Sequence, residues 1–331
     1  SGPLHDTLVD STLGQRLTAA GYRCGLAGKW HVPGVTPTAC GFDVLCGSDD
    51  EAIPAAASVF LATDAATPFF LFASFTNPHD ICQVARNQPL PQGPVSAPAT
   101  ITDCPNLPAN FAEPAFAPDL LQFTRRANPR IYPTGGFSTD DWRRLRWDYC
   151  RLVEKVDAQV GRVLGALRDS GHENDTLVLF TSDHGEGAGA HHWNQKTALW
   201  EESIRVPFIA RGPGVRRGET DDRLVSNGVD LLPTLCSAAG IDDALSADGR
   251  DLLPLLRGES GMAWRNYVAV ETTIGLGDGP GGPAVGRALI GQDTKYSNYS
   301  MGRHREQLVN LQQDPGEMVN LAVESAHSNL L

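Results

Sequence analysis

The stretch TLVLFTSDHG, Thr176 to Gly185, decides the fold. Its first six residues form an apolar run of strand length, and Ser182-Asp183-His184-Gly185 then breaks it with a polar turn. A strand without polar alternation is covered on both faces, which is the pattern of sheets flanked by helices. Upstream, Ser138 reads as an N-cap, and apolar residues recur at Trp142, Leu145, Tyr149, Leu152, Val156, Val160, Val163 and Leu167. That 3.6-residue spacing predicts a long helix, stopped by Gly171. Downstream, Val206 to Ala210 reads as another strand, closed by Gly212-Pro213-Gly214. Toward the N-terminus, a short amphipathic helix over Thr12 to Tyr22 precedes the apolar stretch Cys24 to Ala27 and the polar break Gly28-Lys29-Trp30-His31. The run FFLFASF, Phe69 to Phe75, likewise ends at Thr76-Asn77-Pro78-His79-Asp80. Strand and helix signals alternate in this way to about residue 240, which predicts an α/β fold with a largely parallel sheet and helices on both faces.

Ten of the 23 prolines lie between Arg86 and Asp140, so that stretch is expected to be an irregular excursion that shapes specificity. Beyond Leu256 the runs become short and β-like: Tyr267 to Val270, Arg287 to Ile290, Lys295 to Tyr299 and Gln307 to Leu311, with glycine turns at Gly275 to Gly282. We therefore expect an α/β domain over residues 1–256 and a small antiparallel subdomain over 257–331. The 331 residues are 41% hydrophobic and carry 27 Lys+Arg against 39 Asp+Glu. A formal charge of -12 excludes nucleic acid or an anionic membrane surface as the main partner, so an anionic substrate needs a local basic pocket. Only four lysines occur (Lys29, Lys155, Lys196, Lys295), which gives weight to any lysine inside a motif. The seven cysteines form neither a CxxC pair nor a zinc pattern and read as mostly buried single thiols. No run reaches the ~18 apolar residues of a membrane helix.

Ligands of open α/β sheets bind at the carboxyl ends of strands. Three polar clusters stand there: Lys29 with His31, His79, and Asp183 with His184. An adjacent carboxylate and imidazole on a tight turn suit a divalent metal, although such a dipeptide before glycine also serves as a plain turn. His191, His192 and Lys196 follow within one glycine-rich loop, more ligands and cations than a solvated loop requires.

Ser182 to Glu186, His191, Lys196 and the run Glu201 to Pro207 together resemble the formylglycine-dependent sulfatases of the alkaline-phosphatase superfamily. So do Ala19 to Tyr22 leading to Gly28-Lys29-Trp30-His31 and Gly41-Phe42-Asp43, then Asn77-Pro78-His79, Val229 to Thr234, and the closing Gln307-Leu308, Asp314 to Glu317 and Asn320-Leu321-Ala322. The resemblance spans nearly the whole chain and implies an alkaline-phosphatase-like fold that hydrolyses a sulfate ester. It implies that Asp183 and His184 are two of the metal ligands, the metal being calcium, with manganese or another transition metal admitted by the softer nitrogen of His184. Lys29 and Lys196 are implied to bind the sulfate oxygens. His31, His79 and His191 are implied to orient the nucleophile, contact the ester or protonate the leaving group. Arg86, Asp80, His192 and Trp193 are candidate substrate contacts, with packing or a turn as the alternative for each and, for His192, a place beside Trp193.

One departure stands out. The family makes its formylglycine within a Cys-x-Pro/Ala-x-Arg motif near the N-terminus and completes its metal site with paired aspartates on the first strand. This chain contains neither. Cys82-Gln83-Val84-Ala85-Arg86 has the spacing, but Val84 replaces the Pro/Ala and the run follows His79, so it is read as a decoy. The chain opens at Ser1 without a Met, and the expectation is a sulfatase whose N-terminal segment lies upstream, with no nucleophile and no activity in these residues alone. Two alternatives remain: a phosphonate or phosphate ester hydrolase of the same superfamily, and a non-catalytic protein that binds sulfated ligands. The substrate is expected to be a small-molecule or glycan sulfate ester, and the family suggests a periplasmic or secreted protein.

Overall fold

A computed structural model describes residues 6–63, 66–242, 248–274 and 284–323. After a 3-10 turn, helix α1 (Leu13–Ala19) leads to strand β1 (Arg23–Gly28), then β2 (Asp43–Cys46), helix α2 (Ile53–Ala62) and β3 (Phe69–Ser74). Helices α3 (Ile81–Ala85) and α4 (Asp119–Ala127) precede the long α5 (Thr139–Asp169). Strand β4 (Val178–Thr181), α6 (Glu201–Ile204), β5 (Phe208–Arg211), α7 (Leu231–Ala238) and α8 (Leu253–Leu256) follow. Four further strands close the chain: β6 (Val268–Ile274), β7 (Ala284–Ile290), β8 (Thr294–Tyr299) and β9 (Glu306–Asn310).

β1 is the centre of a parallel sheet in the order β2-β1-β3, with Gly28 opposite Ser74 at the last pair. Its side chains alternate between two helical layers. Cys24 and Leu26 pack with Leu17 of α1 and with Phe42, while a side chain at Gly25, on the opposite face, would meet Phe60 of α2. Parallel neighbours bring their carboxyl ends to the same edge, and so Lys29 and the segment after Ser74 leave the sheet side by side. Gly28, at φ 108, makes the exit possible: a Cβ there would lie 2.1 Å from the Ser74 carbonyl oxygen, and Lys29 N–H donates to that same oxygen at 2.8 Å.

Helix α5 is the predicted long helix. The Ser138 hydroxyl accepts the Asp141 N–H and the Asp141 carboxylate accepts the Ser138 N–H, a reciprocal cap, and Gly171 beyond its end adopts φ 84. Two expectations need correction. β5 pairs antiparallel with β4 in a two-stranded sheet rather than extending the parallel one. The proline-rich excursion contains a regular helix, α4, whose Leu120, Leu121 and Thr124 face the core while Phe123 and Arg126 face out. The prolines bracket that helix without entering it. Five of the seven cysteines are buried.

β6 to β9 form the expected antiparallel sheet in sequential order. The Gly275 to Gly282 turns lie outside the described residues. Ile274, Ala284, Ala288 and Tyr299 of this sheet share one apolar cluster with Leu120, Leu121, Tyr132, Trp193, Leu199 and Trp200. The antiparallel sheet is thus packed against the loop that carries Lys196.

Candidate active site

Three of the predicted positions meet at the carboxyl edge of β1, β3 and β4. Lys29 Nζ lies 3.5 Å from Asp183 Oδ2, and His184 Nε2 lies 3.4 Å from the same oxygen. His79 and Lys196 belong to this group, since the charges of Lys196, Lys29 and His184 all act on the His79 ring. Asp50 holds the His79 loop from behind, its carboxylate accepting the N–H groups of Thr76 (2.7 Å) and Asn77 (3.0 Å). Gly185 lets the Asp183 turn close onto α6: its N–H donates to Ser203 O at 2.8 Å, and a Cβ would lie 2.0 Å from Glu202 O.

The electrostatics favour an anion. Enclosure of the ring, then the ammoniums of Lys196 and Lys29, lower the His79 pKa below the usual histidine value. Burial alone would raise Asp183, but His184, Lys29, the His184 N–H and Lys196 outweigh it and hold the carboxyl below its usual range. Burial also lowers His184, aided by Lys196 and Lys29. Two ammoniums thus face one carboxylate that is 62% exposed.

Asp183 and His184 fit a metal in chemistry though not in number. With its proton on Nδ1, His184 donates to the Gly185 carbonyl at 2.9 Å and turns the Nε2 lone pair toward Asp183 Oδ2. That is the arrangement in which metal-binding histidines are held. One carboxylate and one imidazole remain short of the six to eight ligands that calcium takes.

The other predicted residues have different surroundings. The His191 side chain is wholly buried, stacked on Trp200 with ring centroids 4.1 Å apart, with Nε2 3.7 Å from Glu202 Oε2. Its φ of 54 turns the ring into the core instead of toward Lys196. His31 is exposed two residues beyond Lys29. Asp80 is 2% exposed and accepts the Gln92 N–H at 2.9 Å, which makes it a loop anchor. Arg86 Nε donates to Arg130 O at 2.8 Å. Trp193 is a core residue against Tyr132 and Trp200. His192 packs on Phe111, with centroids 4.1 Å apart and the rings tilted by 50°. Cys82 is buried, burial raises its thiol pKa, and Gln195 Nε2 lies 3.0 Å from its sulfur, so it is no ready nucleophile.

Sequence reasoning missed the partners of His191. His191, Glu202 and Glu317 bring ligand atoms within 4.8 Å of one another, a second arrangement of metal-binding type. Here a side-chain cation already fills that role. Lys295, 2% exposed, directs its three N–H groups to Glu317, Glu201 (3.1 Å) and Leu199 O (2.8 Å). The scarcity of lysine was a signal that Lys295 would matter, and Glu317 lay in the closing motif. Glu186 was quoted but given no role. It accepts the Gln195 N–H, and burial pushes its carboxyl up to about 7 against the pull of Gln195, Ala188 and Lys196.

Comparison with known proteins gives matches over most of the chain. The family described as Sulfatase matches residues 5–241, and that described as N-sulphoglucosamine sulphohydrolase, C-terminal, matches 189–331. A Delta 4,5-hexuronate-2-O-sulfatase of Bacteroides thetaiotaomicron is 30% identical over 290 residues, which are 83% of this chain and 57% of that protein. The chain therefore spans little more than half the length of that relative. A solved 2-O GAG sulfatase superposes with a TM-score of 0.83 at 28% identity, covering 96% of this chain and 71% of its own. The phosphonate monoester hydrolase of Agrobacterium radiobacter shares the fold, with a TM-score of 0.71 at 20% identity over 96% of this chain and 77% of its own.

Proposed function

This chain belongs to the sulfatase family, and from that premise we propose that it forms most of a metal-dependent sulfate ester hydrolase. The observation that carries the reading is the convergence of Lys29, Lys196, His79, Asp183 and His184 beside the carboxyl ends of β1, β3 and β4. A transferring sulfuryl group spreads negative charge over its oxygens, and fixed ammoniums aimed at it stabilise the transition state more than the ground state. Lys29 and Lys196 supply that charge. His79, kept neutral by its burial and then by the same ammoniums, gains proton affinity when an anion offsets those charges, and so it can protonate the leaving oxygen. Asp183 and His184 would hold a divalent metal, calcium first and manganese second, which supplies Lewis-acid polarisation when bound. The nucleophile and the remaining ligands are assigned to sequence outside these 331 residues.

The names of the relatives support a glycan substrate, and a 2-O-sulfated hexuronate is the first to try. Export to the periplasm or beyond would suit such a substrate. The phosphonate hydrolase with this fold keeps phosphonate and phosphate esters as the second reading. The test is turnover of sulfated hexuronate, aryl sulfate and aryl phosphonate by the full-length protein, with and without chelator. Chelator-sensitive preference for the sulfates is expected. Preference for the phosphonate would transfer the assignment to the second reading, and binding without turnover of any ester would leave a sulfated-ligand receptor.

A further inference from the structure

Of the nine described non-glycine residues with positive φ, five lie within ten residues of one another: Ala188 (45°), His191 (54°), His192 (55°), Gln195 (78°) and Thr197 (88°). Such backbone is uncommon for any side chain and a clear outlier for a β-branched one such as Thr197. It persists only where the surroundings over-determine it. Gln195 and Thr197 flank Lys196, and each is tied down. The Glu186 carboxylate accepts the Gln195 N–H. The Gly187 N–H donates to the Gln195 carbonyl at 3.1 Å, and the Gln195 amide reaches Cys82 Sγ at 3.0 Å. On the other side, the Tyr132 hydroxyl bonds Thr197 Oγ1 at 2.9 Å.

We propose that Glu186 and Tyr132 are positioning residues: they pin the strained Gln195-Lys196-Thr197 backbone so that the Lys196 ammonium is delivered to the Lys29, Asp183 and His79 cluster. The inference rests on the reading of Lys196 as a ligand of the transferring oxyanion. A lysine ammonium rides on a flexible four-carbon stem, so its aim depends on a fixed backbone. Misplacement of a catalytic group by 1 Å can cost about 10²-fold in rate.

Side-chain NMR of the full-length protein labelled at the lysine ε-position is the direct test, with K196A identifying the Lys196 signal. In E186A, and to a smaller extent in Y132F, the Lys196 signal is expected to shift or broaden, while those of Lys155 and Lys295 stay in place. With sulfate ester as substrate, kcat/KM is expected to fall about 30- to 100-fold in E186A and about 3- to 10-fold in Y132F. Neither change should add to K196A in a double-mutant cycle, because residues acting through one group are not additive. E186Q, which keeps an acceptor oxygen, should recover most of the activity. A Lys196 signal that stays in place in Y132F and E186A, or losses that multiply with that of K196A, would overturn the proposal. Should E186A fail to fold, Y132F decides, since it removes only a hydroxyl. Absence of turnover by the unaltered protein would count against the sulfatase reading, while the Lys196 signal still decides the positioning.

Discussion

At the carboxyl edge of β1, β3 and β4, two ammoniums, two imidazoles and a carboxylate sit partly in solvent. Beside the same loop, His191, Glu201, Glu202, Lys295 of β8 and Glu317 bring together carboxylates, an imidazole and an ammonium that are buried or half-buried. The first group is charge-imbalanced and has donors to spare: Lys29 has Asp183 at 3.5 Å, beyond good hydrogen-bond distance. In the second, every N–H of the Lys295 ammonium is spent on Glu317, Glu201 and Leu199 O. A lysine whose donors are used inside the protein has none for a ligand. What separates Lys29 from Lys295 is the number of unused N–H donors, more than the residue type.

Breaking the buried group should cost folding. K295M leaves Glu317 buried without its cation, and removal of one partner of a buried ion pair typically costs about 3–5 kcal/mol. Urea denaturation of the variant should show this loss, and a loss under 1 kcal/mol would mean that Glu317 is relieved in another way. At the exposed cluster the effect should fall on chemistry. K196A is expected to lower kcat about 10²–10³-fold, equivalent to ~3–4 kcal/mol, with little change in denaturation midpoint. A wild-type rate for K196A would remove Lys196 from the site.

The sharpest discriminator is His191, which the sequence placed with the catalytic residues and the structure places with Glu202. H191A should destabilise the fold by about 1–3 kcal/mol, as expected when the buried Asn110 amide loses its partner His191 Nε2 at 3.3 Å. The folded fraction should keep its kcat within a few-fold, and a thousand-fold drop at unchanged stability would return His191 to the catalytic group. The smallest effect concerns pH. His192 is lowered below its ordinary value by burial and then by Arg125, and His79 is lowered as well. With folded pKa values below the unfolded one, the unfolded chain binds more protons, so stability is complete above about pH 6.5 and declines as pH falls through that value. Melting temperatures between pH 7.5 and 5.5 should follow this trend, less steeply in H192F.

Much of the fold could be read locally. The apolar spacing from Trp142 to Leu167 required a long helix, and Ser138 and Gly171 marked its ends to within a residue or two. The unalternating runs at Cys24 and Phe69 became the parallel pair β1 and β3. The 206–210 run was equally clear as a strand but not in direction, because parallel and antiparallel partners are set by the path of the chain and not by the residues of one strand. Helix α4 was hidden because proline density was taken for irregularity, although the segment between Pro118 and Pro129 is free of proline.

The sequence by itself determined the family, the strand ends that carry Lys29, His79 and Asp183-His184, and the need for a local basic site on an acidic chain. These are properties of short segments, where spacing and residue type translate directly into backbone conformation. Only the tertiary structure decided which histidines face the site. His191 and His192 adopt positive φ in a loop held by Asn110, Phe111 and Glu202, residues distant in sequence, and their rings turn inward. Lys295 and Glu317 likewise meet only because the last strands fold back onto the loop at Leu199, and that contact turned a metal-like set of residues into a neutralised buried pair. Burial and the use of a donor are set by what packs against a residue, and the chain does not record that beside the residue itself.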